Sequence, residues 1–365
     1  MGIIGRKWFR QAVLALAVVM LFGAAQTIPL TASAADDTAG EAVAVSGSAR
    51  MLVPVGRAAG IKIASDGVLV VGLVDVVSDG NSSCPAKTAG LREGDLIVAV
   101  AGRKVSSASD LKAAITDSRE VKLTYERDGS RHTAAICPMK SDEDGGYRLG
   151  AWVRDSMAGI GTLTYYDPAS GTFGALGHGI NDVSTSALMP VASGALVRST
   201  VASVRKGEAG NPGELSGSFD LSDEFGELYS NTDCGVFGRA TAGELGVDMT
   251  AAIPVAQPSE VHEGAATILS NVSGSDIGQY SIEIKKVSTD GASAPRDMVI
   301  EITDERLIAA TGGIVQGMSG SPIIQDGKFV GAVTHVLINS PTRGYGIFVT
   351  RMLDESAQSA ERTAA

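Results

Sequence analysis

Aromatic residues are scarce in this chain, at 5% of its 365 residues. Glycine is abundant, at 45 residues, and runs rich in Val, Ile and Thr recur between Gly, Asp, Asn and Ser. This pattern is typical of many short strands and argues against a fold of long helices. We therefore expect a mainly β protein, long enough for two domains and a short appendage. Positive charge is also in deficit: the formal net charge of −11 makes a nucleic-acid partner improbable.

Long hydrophobic runs are lacking as well. The apolar stretch from Ala12 to Ala25 is shorter than the roughly 20 residues that span a bilayer. Three basic residues precede it, and the small residues 32–34 follow it, which is the layout of a secretory signal. Residues 1–35 are thus predicted to be a signal peptide or an uncleaved membrane anchor, and residues 36–50 a linker. In either case the rest of the chain is expected outside the cytoplasm.

Cysteine is rare, with only Cys84, Cys137 and Cys234. There is no Cys-x-x-Cys motif and no Cys/His cluster, so we predict neither a metal site nor a cofactor. An odd number of cysteines in an exported protein leaves at least one unpaired. A Cys84–Cys137 disulfide and two buried thiols both remain open.

Residues 51–140 form a first predicted unit, with a signature at Ala89-Gly90-Leu91, Gly94-Asp95 and Ile97. A helical turn, a tight glycine turn and an apolar strand fit these residues. The unit resembles a PDZ domain of bacterial proteases, a small β-sandwich with helices. PDZ domains bind an extended peptide as an added strand. By that resemblance, the peptide-binding residues are expected in one loop and strand edge: Ala58, Ala59, Gly60, Ile61 and Ile63.

The segment Gly317-Met318-Ser319-Gly320-Ser321-Pro322 precedes a predicted hairpin with an Asp-Gly turn. Small residues around a serine let a substrate carbonyl approach, and consecutive backbone N–H groups can stabilise an oxyanion. The segment resembles the nucleophile turn of chymotrypsin-type serine peptidases. That resemblance implies that Ser319 is the nucleophile and that the N–H groups of Gly317 and Ser319 form the oxyanion hole.

A serine nucleophile needs a base, and histidine is the usual one. The chain has four histidines. His178 lies between glycines at the end of a predicted strand, which suits an imidazole that faces a cleft, although a buried core histidine is an equal reading of this residue alone. His335 follows the strand after the nucleophile and is expected to line the cleft.

The third member of a triad is a carboxylate that holds the imidazole. Asp304 ends an apolar strand fifteen residues before Ser319 and is well placed for this role. Asp182, four residues after His178, is its main rival. Asp233 and Asp248 are weaker candidates.

With these residues in place, the chain resembles the stage IV sporulation protein B family of serine peptidases, from the export segment through the PDZ domain to the peptidase unit at 141–354. His178 matches the family's base, Asp304 its aspartate and Ser319 its nucleophile. The resemblance implies a chymotrypsin-like double β-barrel, although the aspartate lies just upstream of the serine instead of in the first barrel. Residues 355–365 are expected to be a frayed helix or tail.

The resemblance also implies a signalling protease that is exported to the space between the forespore and mother-cell membranes. It would cut itself and then cleave the regulator of an intramembrane metalloprotease, so that a mother-cell sigma factor is processed. Two alternatives remain: a non-catalytic PDZ scaffold on a degenerate protease fold, and a general exported quality-control protease. Retention of all three triad residues argues against the scaffold.

Overall fold

The computed structural model describes residues 49–289 and 296–364, so the predicted export segment and most of the predicted linker lie outside the described residues. The strands are β1 (Met51–Leu73), β2 (Val76–Ser78), β3 (Asn81–Ser83), β4 (Leu96–Val100), β5 (Arg103–Lys104), β6 (Val121–Arg127), β7 (Ser130–Ile136), β8 (Met139–Lys140), β9 (Tyr147–Arg148), β10 (Ala151–Asp167), β11 (Thr172–Ala175), β12 (Ser193–Arg205), β13 (Glu214–Thr232), β14 (Gly235–Arg239), β15 (Ile253–Pro254), β16 (Gly264–Ser273), β17 (Asp276–Val287), β18 (Met298–Ile302), β19 (Pro322–Gln325), β20 (Lys328–Leu337) and β21 (Ser340–Phe348). The α-helices are α1 (Pro85–Thr88), α2 (Ala108–Ala114), α3 (Ala242–Leu245), α4 (Glu305–Thr311) and α5 (Val349–Ala364), and 3₁₀ turns cover Met249–Ala251 and Pro258–Glu260. None of these helices is long and apolar enough to cross a membrane.

Six strands form a first antiparallel barrel, in the order β10-β11-β14-β13-β12-β1, which is closed by pairing between β1 and β10. Along these strands, apolar side chains that point to one face fill the interior. The buried interior includes Val53, Val55, Leu163, Phe173, Leu196 and Val236.

A second closed barrel has the strand order β16-β17-β18-β21-β20-β19. Its strands are rich in β-branched residues. The packed interior includes Ile268, Ile284, Ile300, Ile302, Val333 and Phe348. The two barrels and the small PDZ unit confirm the predicted mainly β fold with a double-barrel peptidase part. The nucleophile segment lies between α4 and β19, within this second barrel.

The PDZ unit is inserted between the first two strands of the first barrel. Strand β1 pairs with β10 and β12 as far as Ala64, and then continues into the PDZ sheet, where Val68 and Leu69 pair with β4. The chain returns along β10, whose Ala151–Arg154 part pairs with the far end of β1. The PDZ unit has its own apolar core, which includes Val68, Leu91, Ile97, Leu123 and Ile136.

This arrangement corrects the predicted peptide groove. Residues 58–63 belong to β1 within the first barrel, where Gly60 pairs with Ile160 on one side and Val197 on the other. From Gly60 to Ala64, where β12 also pairs, this strand leaves no edge for an added peptide strand. The predicted PDZ-binding residues Ala58, Ala59, Gly60, Ile61 and Ile63 are therefore parts of the peptidase barrel. The PDZ unit therefore begins after residue 51, where its start was predicted, because residues 51–64 supply a strand of the first barrel.

The C-terminal residues 355–365 are predicted to be a frayed helix or tail. Up to Ala364 they complete the 16-residue helix α5, which buries Met352, Leu353, Ser356 and Ser359. The hydroxyls of Tyr229 and Ser356 lie 2.9 Å apart, which ties this helix to β13. The cysteines form no disulfide: Cys84 is buried and Cys137 is exposed.

Candidate active site

His178 follows β11 through a tight turn. Leu176 and Gly177 both have φ of +70°. A side chain on Gly179 would lie 2.8 Å from the carbonyl oxygen of Thr232, so only glycine fits on that side of the histidine. The side chain of Asn231 binds the backbone of Ile180. The Asn231 side-chain oxygen accepts from the Ile180 N–H at 2.8 Å, and the Asn231 amide nitrogen donates to the Ile180 carbonyl at 2.9 Å. The backbone after His178 is therefore held on β13.

Ser319 is held by the other barrel and tied to the first. Gly320 lies so close to β10 that a side chain there would meet the Thr162 carbonyl oxygen and lie 2.6 Å from the Leu176 nitrogen. The Thr162 N–H donates to the Ser319 carbonyl at 3.1 Å, and its hydroxyl donates to the Gly317 carbonyl at 2.8 Å. These two hydrogen bonds from Thr162 fix the turn that carries Ser319 at the seam between the barrels.

The backbone N–H groups of the turn point in two directions. The N–H of buried Met318 donates to the Val315 carbonyl at 3.1 Å. Among the hydrogen bonds of the described residues, the N–H groups of Gly317 and Ser319 have no partner. Gly317 has φ of +97°, a backbone conformation that favours glycine. Two donors without partners, on either side of Met318, are what a developing oxyanion requires.

Ser319 and His178 line one cavity of about 300 Å³. Gly317 is also in its wall, and the apolar side chains come from the strands and loops of the first barrel: Ile61, Met157, Ile160, Leu176 and Ile180. The structure thus brings together the predicted nucleophile, base and oxyanion donors. Three of these four groups are contributed by the single turn between α4 and β19.

The catalytic hydrogen bond is not made in this state. The Ser319 hydroxyl donates to the Thr334 carbonyl oxygen at 2.6 Å. His178 Nδ1 lies 2.8 Å from the Gly179 carbonyl oxygen, and its ring centroid is 4.8 Å from that of His335. In unliganded serine peptidases the serine–histidine bond often forms only with substrate. His335 stands beside the base, as expected for a residue that lines the cleft.

Both imidazoles favour the neutral form. Loss of hydration lowers the pKa of His178, and its bond to the Gly179 carbonyl partly opposes that shift. Loss of hydration, followed by the charges of His178 and Arg296, lowers the pKa of His335 to about 4. A base must be unprotonated to accept the serine proton, so His178 is ready for this role at neutral pH.

Asp304 lies outside the cavity and makes no bond to His178. Its carboxylate caps α4, accepting from the Arg306 N–H at 2.9 Å and from the Arg306 guanidinium at 2.7 Å. It also accepts from the Ser281 N–H at 3.3 Å. These bonds, with that of Arg306 foremost, hold the pKa of Asp304 well below its usual range. In this state the predicted third triad member serves as a helix cap.

None of the rival carboxylates bonds to His178 either. Asp182 is fully buried and forms an ion pair with Arg154. Asp248 caps the turn at Met249–Ala251, and Asp233 is exposed beside Cys234. The acceptor at Nδ1 of His178 is thus a backbone carbonyl. The supporting residue missed from the sequence is Asn231, because a lone asparagine 53 residues after His178 gives no local signal.

The family described as SpoIVB peptidase S55 matches residues 145–353, more than half of the chain. The chain belongs to this family. A PDZ domain family matches residues 60–137 of the chain. The chain is 40% identical over 72 residues to the serine protease Do-like HtrA of Lactococcus lactis, and the match covers 19% of this chain and 18% of that protein. It is 35% identical over 85 residues to a probable periplasmic serine protease do/HhoA-like of Haemophilus influenzae, covering 22% and 18%.

The chain thus matches about a fifth of the length of these curated relatives. Among solved structures, the PDZ domain of an SdrC-like protein from Listeria monocytogenes is 26% identical with a TM-score of 0.20, covering 25% of this chain and 90% of that one. The HtrA-type protease AlgW with decapeptide is 11% identical with a TM-score of 0.32, covering 60% and 58%. By its family, the chain is a PDZ-containing serine peptidase of the SpoIVB type.

Proposed function

We propose that this SpoIVB peptidase is an endopeptidase in which Ser319 attacks the scissile carbonyl and His178 takes its proton. The oxyanion binds to the N–H groups of Gly317 and Ser319. His178 then gives the proton to the leaving amine, and water hydrolyses the acyl-enzyme by the same steps. The observation that carries this proposal is the shared cavity, which Ser319, Gly317 and His178 all line, while the N–H groups of Gly317 and Ser319 have no partner among the hydrogen bonds of the described residues.

The substrate binds in the cavity that Ser319 and His178 line, next to β20. The Ser319 hydroxyl donates to the Thr334 carbonyl of that strand at 2.6 Å. A substrate N–H that donates to the Thr334 carbonyl displaces the serine hydroxyl, which then turns toward His178. In this way substrate binding itself assembles the nucleophile and base.

The biological role that we propose is the one that the family resemblance implies. The peptidase is exported to the space between the forespore and mother-cell membranes, where it cleaves itself. It then cleaves the regulator of a membrane-embedded metalloprotease, so that a mother-cell sigma factor is processed. The basic and apolar residues 1–35 support export, and membership in a family named for a sporulation protein supports the pathway.

Purified full chain and its Ser319→Ala variant test the catalytic proposal. The wild-type protein should react with a fluorophosphonate at Ser319 and should release fragments of itself on incubation. The variant should do neither at an unchanged melting temperature. A wild-type protein that is neither labelled nor fragmented would favour a non-catalytic PDZ scaffold.

A further inference from the structure

We propose that Arg154 and Asp182 form a positioning pair for His178, which anchors the loop after the base to the strand that returns from the PDZ unit. The inference rests on the proposed peptidase function and assigns residues to it. Neither side chain lines the cavity with Ser319, so neither is a catalytic residue.

The loop at residues 179–189 is organised around the Asp182 carboxylate. Asp182 is fully buried, and one carboxylate oxygen accepts from the N–H groups of Ser184 and Thr185, both at 2.9 Å. The other oxygen forms the ion pair with Arg154. The Asp182 N–H donates to the Ala187 carbonyl at 2.9 Å, which closes the loop. A buried carboxylate with several N–H donors and one guanidinium fixes the loop in a single conformation.

The two ends of the same loop control the orientation of the His178 imidazole. The Gly179 carbonyl oxygen accepts at Nδ1 of His178, and Asn231 binds the next peptide unit through both edges of Ile180. The Asn231 amide also donates to the Met189 carbonyl at 2.8 Å, at the other end of the loop. The Met189 N–H donates to the Ile180 carbonyl at 2.9 Å. A shift of the loop therefore moves the carbonyl that orients His178.

Arg154 connects this loop to the PDZ boundary. Its neighbour Asp155 on β10 accepts from the N–H of Ala108, at the start of α2, at 2.8 Å. The Asp155 carbonyl also accepts from the Ser65 hydroxyl at 3.2 Å. Successive side chains on a strand point to opposite faces, so Arg154 holds the His178 loop while Asp155 holds the PDZ helix. The returning strand of the insertion is thus part of the catalytic scaffold.

The charges predict a characteristic response to substitution. Loss of Arg154 leaves a buried carboxylate without its cation, and loss of the Asp182 charge leaves the guanidinium facing an amide. Removing one partner of a buried pair is much more damaging than replacing both. The pair Arg154→Gln and Asp182→Asn, which can form a neutral amide–amide contact, should therefore restore part of what each single variant loses.

The experiment uses the full chain with both single variants, the double variant and Arg148→Gln. Arg148 pairs with Asp144 at the surface, which makes it a matched control for loss of an arginine–aspartate pair. End-point fluorophosphonate labelling counts active sites, and cleavage of fluorescein-labelled casein gives kcat and KM per active site. Each single variant should lower kcat by about ten- to a hundred-fold with KM little changed, as expected for a misplaced base. The double variant should regain at least part of kcat, and Arg148→Gln should match wild type.

Two results overturn the inference. If kcat per labelled site stays at the wild-type value while the labelled fraction or the melting temperature falls, the pair only stabilises the fold. If the losses of the single variants add in the double variant, the two residues do not act as a unit. A wild-type protein that is not labelled at Ser319 overturns the peptidase proposal as well, and so is distinguishable from either result.

Discussion

The hydroxyl of Ser319 donates to the carbonyl oxygen of Thr334 on β20 at 2.6 Å. The proposed nucleophile is therefore engaged by the acceptor that we propose for a substrate N–H. The hydroxyl must leave this acceptor by rotation of its side chain before Ser319 can donate to a base. Such rotations between staggered positions are fast, so the arrangement does not prevent catalysis but couples it to occupation of the cleft.

Ser319→Ala should abolish casein cleavage, lowering kcat by at least about 10⁴-fold, because the nucleophile is lost. The matched control is Ser321→Ala in the same turn. Ser321 is fully buried and donates to the Ser270 hydroxyl at 3.1 Å. Its loss should cost about 1 kcal/mol of folding free energy, measured by urea unfolding, while activity per folded molecule is kept. An active Ser319→Ala protein would remove Ser319 from the chemistry.

Asp304→Asn should act mainly on stability. The substitution weakens the cap of α4 and the ion pair with Arg306, with an expected loss of about 1 kcal/mol. Because the folded-state pKa of Asp304 is lowered, its contribution is present above the ordinary carboxyl pKa and is lost as pH falls toward the folded value. Below about pH 4 the wild-type protein should therefore lose stability more steeply than the variant.

Activity of the same variant decides between the cap and the triad. Activity per labelled site should stay within a few-fold of wild type, because Asp304 does not contact His178 in this structure. A loss of about 10³–10⁴-fold at unchanged stability is what a triad aspartate predicts. That result would show that the family's aspartate moves to His178 in the working enzyme.

The pH dependence of fluorophosphonate labelling reports on the base. Because loss of hydration lowers the pKa of His178, the labelling rate should rise with pH through a midpoint below about 6.5. His335→Gln removes the ring that lies 4.8 Å away and admits water to His178. The midpoint should then move up toward 6.5, with little change in rate at pH 8. A downward shift would contradict the desolvation argument.

A residue of this site could be predicted from the sequence when its role depends on its immediate neighbours in the chain. The turn at Ser319 and the glycines around His178 are local patterns, because a nucleophile and a crowded imidazole each need particular immediate neighbours. The function of Asp304 was inferred from spacing, yet a strand-end aspartate three residues before Leu307 is equally a helix cap. The sequence could not decide between these, since both use the same residue at the same place.

The peptide groove shows a different limit. Strand β1 runs for 23 residues through two cores, and its apolar pattern is the same in both. The Asp66-Gly67 pair between Ala64 and Val68 is a turn signal, but it does not reveal that the strand passes from the barrel to the PDZ sheet. The partners that define each sheet lie about 100 residues away on β10, about 130 residues away on β12 and about 30 residues away on β4. The fold class was predictable from composition, whereas this insertion depends on pairing that only the folded chain reveals.

Gly320→Ala should disrupt the seam between the barrels. A new methyl group would meet the Thr162 carbonyl, and φ of +97° adds a backbone penalty. Gly327→Ala is the matched control, because Gly327 has φ of +72° but nothing within 4 Å of the new methyl group. Both should lose about 1–2 kcal/mol for the left-handed backbone. Only Gly320→Ala should lose more than this and also lose labelling at Ser319; equal behaviour would show that the seam tolerates the methyl group.

The last prediction concerns Gly60, which a PDZ groove and a barrel strand would use differently. A side chain there would lie 2.5 Å from Val197 Cγ2 and 3.0 Å from Phe219 Cβ. Gly60→Val should therefore overpack the first barrel, at a cost of several kcal/mol, and reduce self-cleavage, casein cleavage and fluorophosphonate labelling together. Gly72→Ala, on the PDZ part of the same strand, has its nearest neighbour at 3.5 Å in Trp152 and should behave as wild type. If Gly60→Val spared labelling and slowed only the cleavage of protein substrates, β1 would deliver substrate after all, and its pairing on both edges would have to open in solution.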